Sequence, residues 1–373
     1  MTNSEMVLLA LVRLAVNGKR CEVHEADFAG VDWSEVLSLS VRQSVVGLTF
    51  DALKCLPESC RPKRECVLKW CGYVALIEGA YSRHKKVVLS LADFYAANGF
   101  RMMLLKGYGL SLYWPVPEHR PTGDIDIFLG TCDSAGALSF GIKPAWQEAD
   151  KVLEQKLGIR VDNSHHHHSV FTYKGTMVEN HYDFINRYAR RSSRNFEQLL
   201  KNLSSVNFWV HPECSNLYLP SDDFNALFLL KHCASHFEAT QMTLRQTLDW
   251  LLFVKGHHES IGWERLYSYL HKYGLERFAD ILSAIGVDYL GMPADIFYSI
   301  EQDKSLVNRV LADILSPEFK EHENGTLKSG LWVKPRRFWR NRWKRKLCSN
   351  DSLLSTFLWS TFAKILKPSH FKD

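Results

Sequence analysis

The chain has 373 residues, of which 46% are hydrophobic, 12% aromatic and 23% charged, with a formal net charge of +5. This profile excludes a disordered or fibrous chain and predicts an ordinary globular protein of about two domains. The charge is local: residues 334–346, KPRRFWRNRWKRK, hold eight basic residues and no acid, so the remainder sums to −3.

The opening, MTNSEMVLLALVRLAVNGKR, sets Glu5 before its apolar stretch and Arg13 within it. That order argues against a secretory signal and for a helix capped by Ser4. DWSEVLSLSVRQSVVGLTFDAL repeats its apolar residues at three- and four-residue steps, as a helix does. RECVLKWCGYVALIEGAYSRHKKVVLSLADFYAANG predicts a long helix ended by Gly99. The nine cysteines include no CxxC pair, and the gaps among Cys55, Cys60, Cys66 and Cys71 fit no common zinc spacing. They read as reduced thiols of a cytoplasmic protein. No segment reaches the roughly 18 apolar residues of a membrane span.

The period then changes. FRMMLLKG is a short apolar run closed by Gly107 and reads as a strand, and LSLYWP is a helical turn stopped by Pro115 and Pro117. DIDIFL alternates in steps of two, as a strand does. AWQEADKVLEQKLG predicts a helix, and SVFTYKGTMVENHYDF a hairpin turning at Lys174-Gly175. VNFWV and NLYL suggest two more short strands. After Pro220, Ser221 can cap DDFNALFLLKHCASHFE, and three further helical stretches follow, the first two closed by glycine. The layout is a helical region 1–99, a mixed core 100–220, a helical domain 221–330 and a basic tail 331–373.

Within DIDIFL, Asp124 and Asp126 lie two apart and so project from one face of a strand, while Ile125 and Ile127 enter the core. Two neighbouring carboxylates repel each other unless one takes a proton or a cation sits between them. Mg²⁺ or Mn²⁺ answers that need with oxygen ligands and commonly also binds substrate phosphates. On this reading, replacing either aspartate with asparagine leaves the apo fold unharmed or slightly stabilised. TMVENHYDF offers a third carboxylate: Glu179, His181 and Asp183 share one face, with Asp183 nearer the strand end.

LLKGYGLSLYWPVPEHRPTGDIDIFL, then VENHYDF, then LLKHCASHFEATQMTLRQTLDWLLF, resembles the uncharacterised bacterial nucleotidyltransferase family of the polymerase-β-like superfamily. The resemblance covers roughly 100–255. It implies an α+β protein with a minimal nucleotidyltransferase fold, flanked by helical domains. It implies that Asp124 and Asp126 bind the metals that hold a donor NTP, and that Glu179 completes the metal site on the acceptor side. Lys106, Gly107 and Arg120 are the implied phosphate contacts, with His181 of the Glu-x-His motif grouped beside them. Pyrophosphate leaves as an unidentified acceptor hydroxyl attacks the α-phosphorus. Where the superfamily carries Gly-Ser or Gly-Gly after its first strand, this chain has Gly107-Tyr108. Two alternatives stand beside this reading: a catalytically degenerate member that only binds, and a DxD glycosyltransferase, which normally needs a larger nucleotide-binding domain before the DxD.

The run His165 to His168 reads as a solvated loop outside the metal site, because adjacent residues cannot all aim at one ion; adventitious Ni²⁺ or Zn²⁺ binding, and a His168 that reaches the mouth of the site, stand as alternatives. His232 and His236 share a helix face, as do Arg245 and Asp249, which would form a surface pair or face the cleft. The 334–346 run interleaves Phe338, Trp339 and Trp343 with cations, a pattern suited to nucleic acid or an anionic membrane face, or else to a terminal helix whose aromatics pack on the body with its cations in solvent.

Overall fold

The computed structural model describes residues 1–18, 25–132, 138–140, 145–239, 241–318, 339–357 and 359. The helices are α1 Asn3–Asn17, α2 Trp33–Arg42, α3 Val46–Leu53, α4 Arg64–Ala97, the single turn α5 Tyr108–Ser111, α6 Ala145–Leu157 and α7 Ser193–Val206. They continue with α8 Asp222–Ala239, α9 Leu244–His257, α10 Trp263–Tyr273, α11 Glu276–Asp288, α12 Lys304–Leu315 and α13 Arg342–Cys348. The strands are β1 Phe100–Leu104, β2 Ile125–Cys132, β3 Leu138–Phe140, β4 His168–Tyr173, β5 Thr176–His181, β6 Phe208–His211 and β7 Cys214–Pro220. The α+β class that the family resemblance implies is the class observed.

The chain divides into two compact units, each discontinuous in sequence. One comprises residues 1–80, 113–121 and 229–349, and the other 81–112, 122–228 and 350–373. The sequence suggested four consecutive segments, but its first and third segments largely share a helical unit. The reason is polar packing: α1 to α3 leave polar groups that C-terminal residues complete. Gln43, buried at the end of α2, donates to the carbonyls of Ile314 and Leu315 at 2.9 and 3.1 Å and accepts from the Leu244 N–H at 2.8 Å. Asn17 donates to the Leu290 carbonyl, and Ser316 to Glu5. The cap of α1 is Thr2 rather than Ser4, because Glu5 stands three residues after Thr2 and completes a reciprocal capping box.

The second unit is built on a mixed sheet in the order β4-β5-β2-β1-β7-β6, with β3 added beside β2. β2 is the hub: β1 runs antiparallel on one side, and β5, parallel, and β3, antiparallel, share the other. Six consecutive residues of β2 are buried. Ile125, Ile127 and Leu129 join Val178, Tyr95, Leu91 and Leu153 in one apolar core. The alternate residues, Asp126, Phe128 and Gly130, therefore face the other way. The β4–β5 hairpin turns at Lys174 and Gly175, with φ values of 48° and 79°, the paired left-handed conformation of a two-residue hairpin turn. Ser221 caps α8 as expected, accepting from the Phe224 N–H.

Candidate functional site

The parallel pairing of β2 with β5 sets Asp126 opposite Glu179 and Phe128 opposite His181. Glu179 and His181 thus rise on the face that Asp126 uses, while Val178 joins the core and Asn180, on the opposite face, donates to Asp150 of α6 at 2.9 Å. The hairpin places His168 directly opposite His181. β1 ends in a sharp turn at Gly107, with φ 59°, where a Cβ would stand 3.1 Å from the Asp124 carbonyl. Only glycine meets both demands at low cost. The turn brings Lys106 back over β2, its Nζ 2.8 Å from Asp126 Oδ1.

Asp126 is 2% exposed and anchors a dense polar cluster. The His181 ring donates from Nε2 to Asp126 Oδ1 at 3.0 Å and lies 3.4 Å from Glu179 Oε2. Its Nδ1–H donates to the Asp183 carbonyl at 3.2 Å, since a carbonyl can only accept. Burial opposes the charge on His181, but the bonds to Asp126 and Glu179 prevail and lift its pKa to about 9. Burial likewise disfavours the Asp126 carboxylate, yet the Lys106 ammonium and the His181 ring hold its pKa far below the usual range. Glu179 is lowered against its burial by the His181 bond. Asp124, half-buried just before β2, goes the other way: burial and the negative charges of Asp126 and Glu179 raise it. That is the like-charge strain expected of the pair, and it survives at only one of the two aspartates.

The donor atoms of Asp126, Glu179 and His181 all lie within 4.8 Å of one another, and those of His167, His168 and His181 do likewise. Asp124 belongs to neither group. Carboxylate oxygens, with Asp124 unrelieved beside them, fit a hard divalent ion such as Mg²⁺ or Mn²⁺. Asp183 lies beyond the end of β5 and is held by Lys201 at 2.5 Å and Arg187 at 3.4 Å, which leaves Glu179 as the acid facing Asp126.

Arg120 sits in the helical unit, 3% exposed. Its guanidinium forks onto Asp249, at 2.7 and 2.8 Å, and Trp114 donates to the same carboxylate at 2.9 Å. Asp249 is therefore a buried partner of Arg120 rather than a surface residue, and Arg245 donates from Nη1 to the Pro121 carbonyl at 3.3 Å. Tyr108 turns its ring into the core against Tyr81, 5.1 Å between ring centroids. His84, which carried no sequence signal, hydrogen-bonds the Gly123 carbonyl at 2.6 Å and holds the approach to β2.

The histidine run is not a solvated loop outside the site. His166 and His168 are buried, at 7% and 6% exposure, and His168 begins β4. The His167 carbonyl accepts from the N–H groups of Tyr182 and Asp183, which stitches the run to the end of β5. The sequence reading went astray because it treated the four residues as one loop, whereas a strand starts within them and β5 supplies the opposing ring. Of the basic run 334–346, residues 334–338 lie outside the described residues. Lys344 is buried against Asp313 at 2.5 Å, and Arg309 stacks on Trp343, so this part of the run packs on the helical unit. Among the described residues, the eight cysteines are free thiols, and no helix is long and apolar enough to cross a membrane.

The sequence model of a family described as "Uncharacterised nucleotidyltransferase" matches residues 29–285. No curated protein and no solved structure matches the chain.

Proposed function

The chain belongs to the uncharacterised nucleotidyltransferase family, and from that premise we propose that it transfers a nucleoside monophosphate from an NTP to an acceptor hydroxyl with release of pyrophosphate. The observation that supports this reading best is the opposition of Asp126 and Glu179 on parallel strands, with Lys106 returned over them by the Gly107 turn. This is the arrangement a triphosphate with its divalent ions requires: oxygen donors converging from neighbouring strands and a cation at the rim.

Asp124, Asp126 and Glu179 would hold Mg²⁺ or Mn²⁺, which supplies charge neutralisation for the transferring phosphoryl group and acidifies the acceptor hydroxyl. The chain's own groups do the rest. The Gly107 turn lets a phosphate approach the backbone closely. Lys106, now paired with Asp126, is placed to exchange that partner for a phosphate oxygen. His181, oriented by the Asp183 carbonyl, keeps Asp126 and Glu179 aligned. Arg120 is the buried partner of Asp249 within the helical unit. The placement of this family in the polymerase-β-like superfamily, its bacterial character and a cytoplasmic setting accompany this proposal. So does an anionic partner, nucleic acid or membrane surface, at 334–346.

One observation favours a second reading, a nucleotide-binding protein without turnover: Asp126 already carries two positive partners, Lys106 and His181. Incubation of the protein with each NTP, Mg²⁺ or Mn²⁺ and a metabolite pool separates the two. The transferase reading expects pyrophosphate release that Asp126→Asn abolishes. Nucleotide binding with no pyrophosphate from any NTP would leave the binding reading in its place.

A further inference from the structure

We propose that His167, His168 and His181 form a nitrogen-donor site for an imidazole-preferring divalent transition ion of the Zn²⁺ or Co²⁺ class. This inference stands on ring geometry and borrows no step from the transferase reading, although the two sites share His181 and Glu179.

One donor nitrogen from each of the three rings lies within 4.8 Å of the others. Tetrahedral ligands about 2.0–2.1 Å from zinc are roughly 3.3–3.4 Å apart, so closure needs modest ring rotations rather than a backbone change. The ring centroids are 4.2 Å apart for His167 and His168, 5.2 Å for His168 and His181, and 5.5 Å for His167 and His181. The frame is fixed by the sheet: His168 and His181 are cross-strand partners, and the His167 carbonyl is bonded to the end of β5.

Two buried atoms ask for a partner. Nδ1 of His167 and Nδ1 of His168 have no hydrogen-bond partner, although buried polar atoms are almost always satisfied. His168 Nδ1 comes only within 3.6 Å of Glu179 Oε2. The bond from His181 Nδ1–H to the Asp183 carbonyl sets the tautomer that leaves Nε2 as the ligating atom once its proton is released. Glu179 Oε2, 3.4 Å from that Nε2, stands ready as a fourth donor. Three imidazoles and one carboxylate suit zinc or cobalt, whereas Mg²⁺ prefers an all-oxygen shell.

The test is a Co²⁺ titration of the full chain without nucleotide, followed by visible d–d absorption, with Zn²⁺ displacing the signal. The proposal expects one ion per chain. It expects His167→Ala, and the double variant His167→Gln/His168→Gln, to bind at least about 10-fold more weakly. His165→Gln/His166→Gln should keep wild-type affinity. If His165→Gln/His166→Gln loses as much affinity, the run binds metal as an adventitious tag. If His167→Ala, verified as folded by circular dichroism, keeps full affinity, or no stoichiometric ion binds, the site does not exist. Pyrophosphate release is measured separately, so that failure of this site and failure of the transferase reading remain distinguishable.

Discussion

Asp124 and Asp126 differ by two positions and share a chemistry, yet the structure gives them opposite energetics. The sequence suggested that asparagine at either position would be harmless to the apo fold, on the view that two carboxylates repel. Repulsion is what Asp124 feels: burial and the charges of Asp126 and Glu179 raise it. Asp126 is held by Lys106 and His181 and is the counter-charge of both. Removing one partner of a buried ion pair leaves the other uncompensated, at a typical cost of 3–5 kcal/mol. Because Lys106 keeps some exposure, we expect Asp126→Asn to lose about 2–4 kcal/mol. Asp124→Asn should be neutral or slightly stabilising. Urea unfolding of the two apo variants measures the difference, and equal stabilities would show that the Lys106–Asp126 pair does not govern the site. This asymmetry was not legible in the sequence, because nothing in KGYG or ENH says which carboxylate each cation will meet. The same holds for Arg120 and Asp249, which pair across 129 positions.

At the scale of elements, much of the site was readable. Period-two alternation in DIDIFL, the Lys-Gly turn and the acid in VENH each produced the strand or hairpin expected, because each is a local signal. Strand neighbourhood is not local: the parallel pairing of β2 with β5 is what turns a DxD and a distant glutamate into one site. Also unannounced was the anchor of the loop after β5. Glu197, buried in α7, accepts the N–H groups of Phe184 and Ile185 at 3.0 Å and lies near Asp183 and Lys201. Burial and the charge of Asp183 push its pKa up to about 7. An unfolded glutamate titrates near 4.3, so between roughly pH 4.3 and 7 the folded state holds a proton that the unfolded state has lost. The contribution of this group to stability is full below that window and falls as pH rises through it. Relative to Glu197→Gln, the wild type should lose on the order of 3 kcal/mol from pH 4.5 to 7.5. Chemical denaturation of both proteins across this range measures it, and parallel curves would contradict the assignment.

At the scale of the whole molecule, each unit gathers segments far apart in the chain. Long-range polar contacts of this kind leave no trace in hydrophobic periodicity, so a reading in consecutive segments could not foresee them. Within the helical unit, Gln43 satisfies two carbonyls near the end of α12 and the first N–H of α9. Gln43→Leu would keep the volume and orphan those groups, at about 1–3 kcal/mol for each buried polar group left unsatisfied. We expect a clear fall in the thermal midpoint with the unit still unfolding in one transition. An unchanged midpoint would mean that apolar packing alone joins these segments.

The central claim, that Asp126 and Glu179 hold a divalent ion against a nucleoside triphosphate, is tested most directly by crystals grown with Mn²⁺ and a non-hydrolysable NTP, with anomalous scattering used to locate the metal. The account predicts an anomalous peak within coordinating distance of both carboxylates, with the triphosphate on that ion and Lys106 turned from Asp126 to a phosphate oxygen. A bound nucleotide with no metal between Asp126 and Glu179, and Lys106 still paired with Asp126, would contradict it.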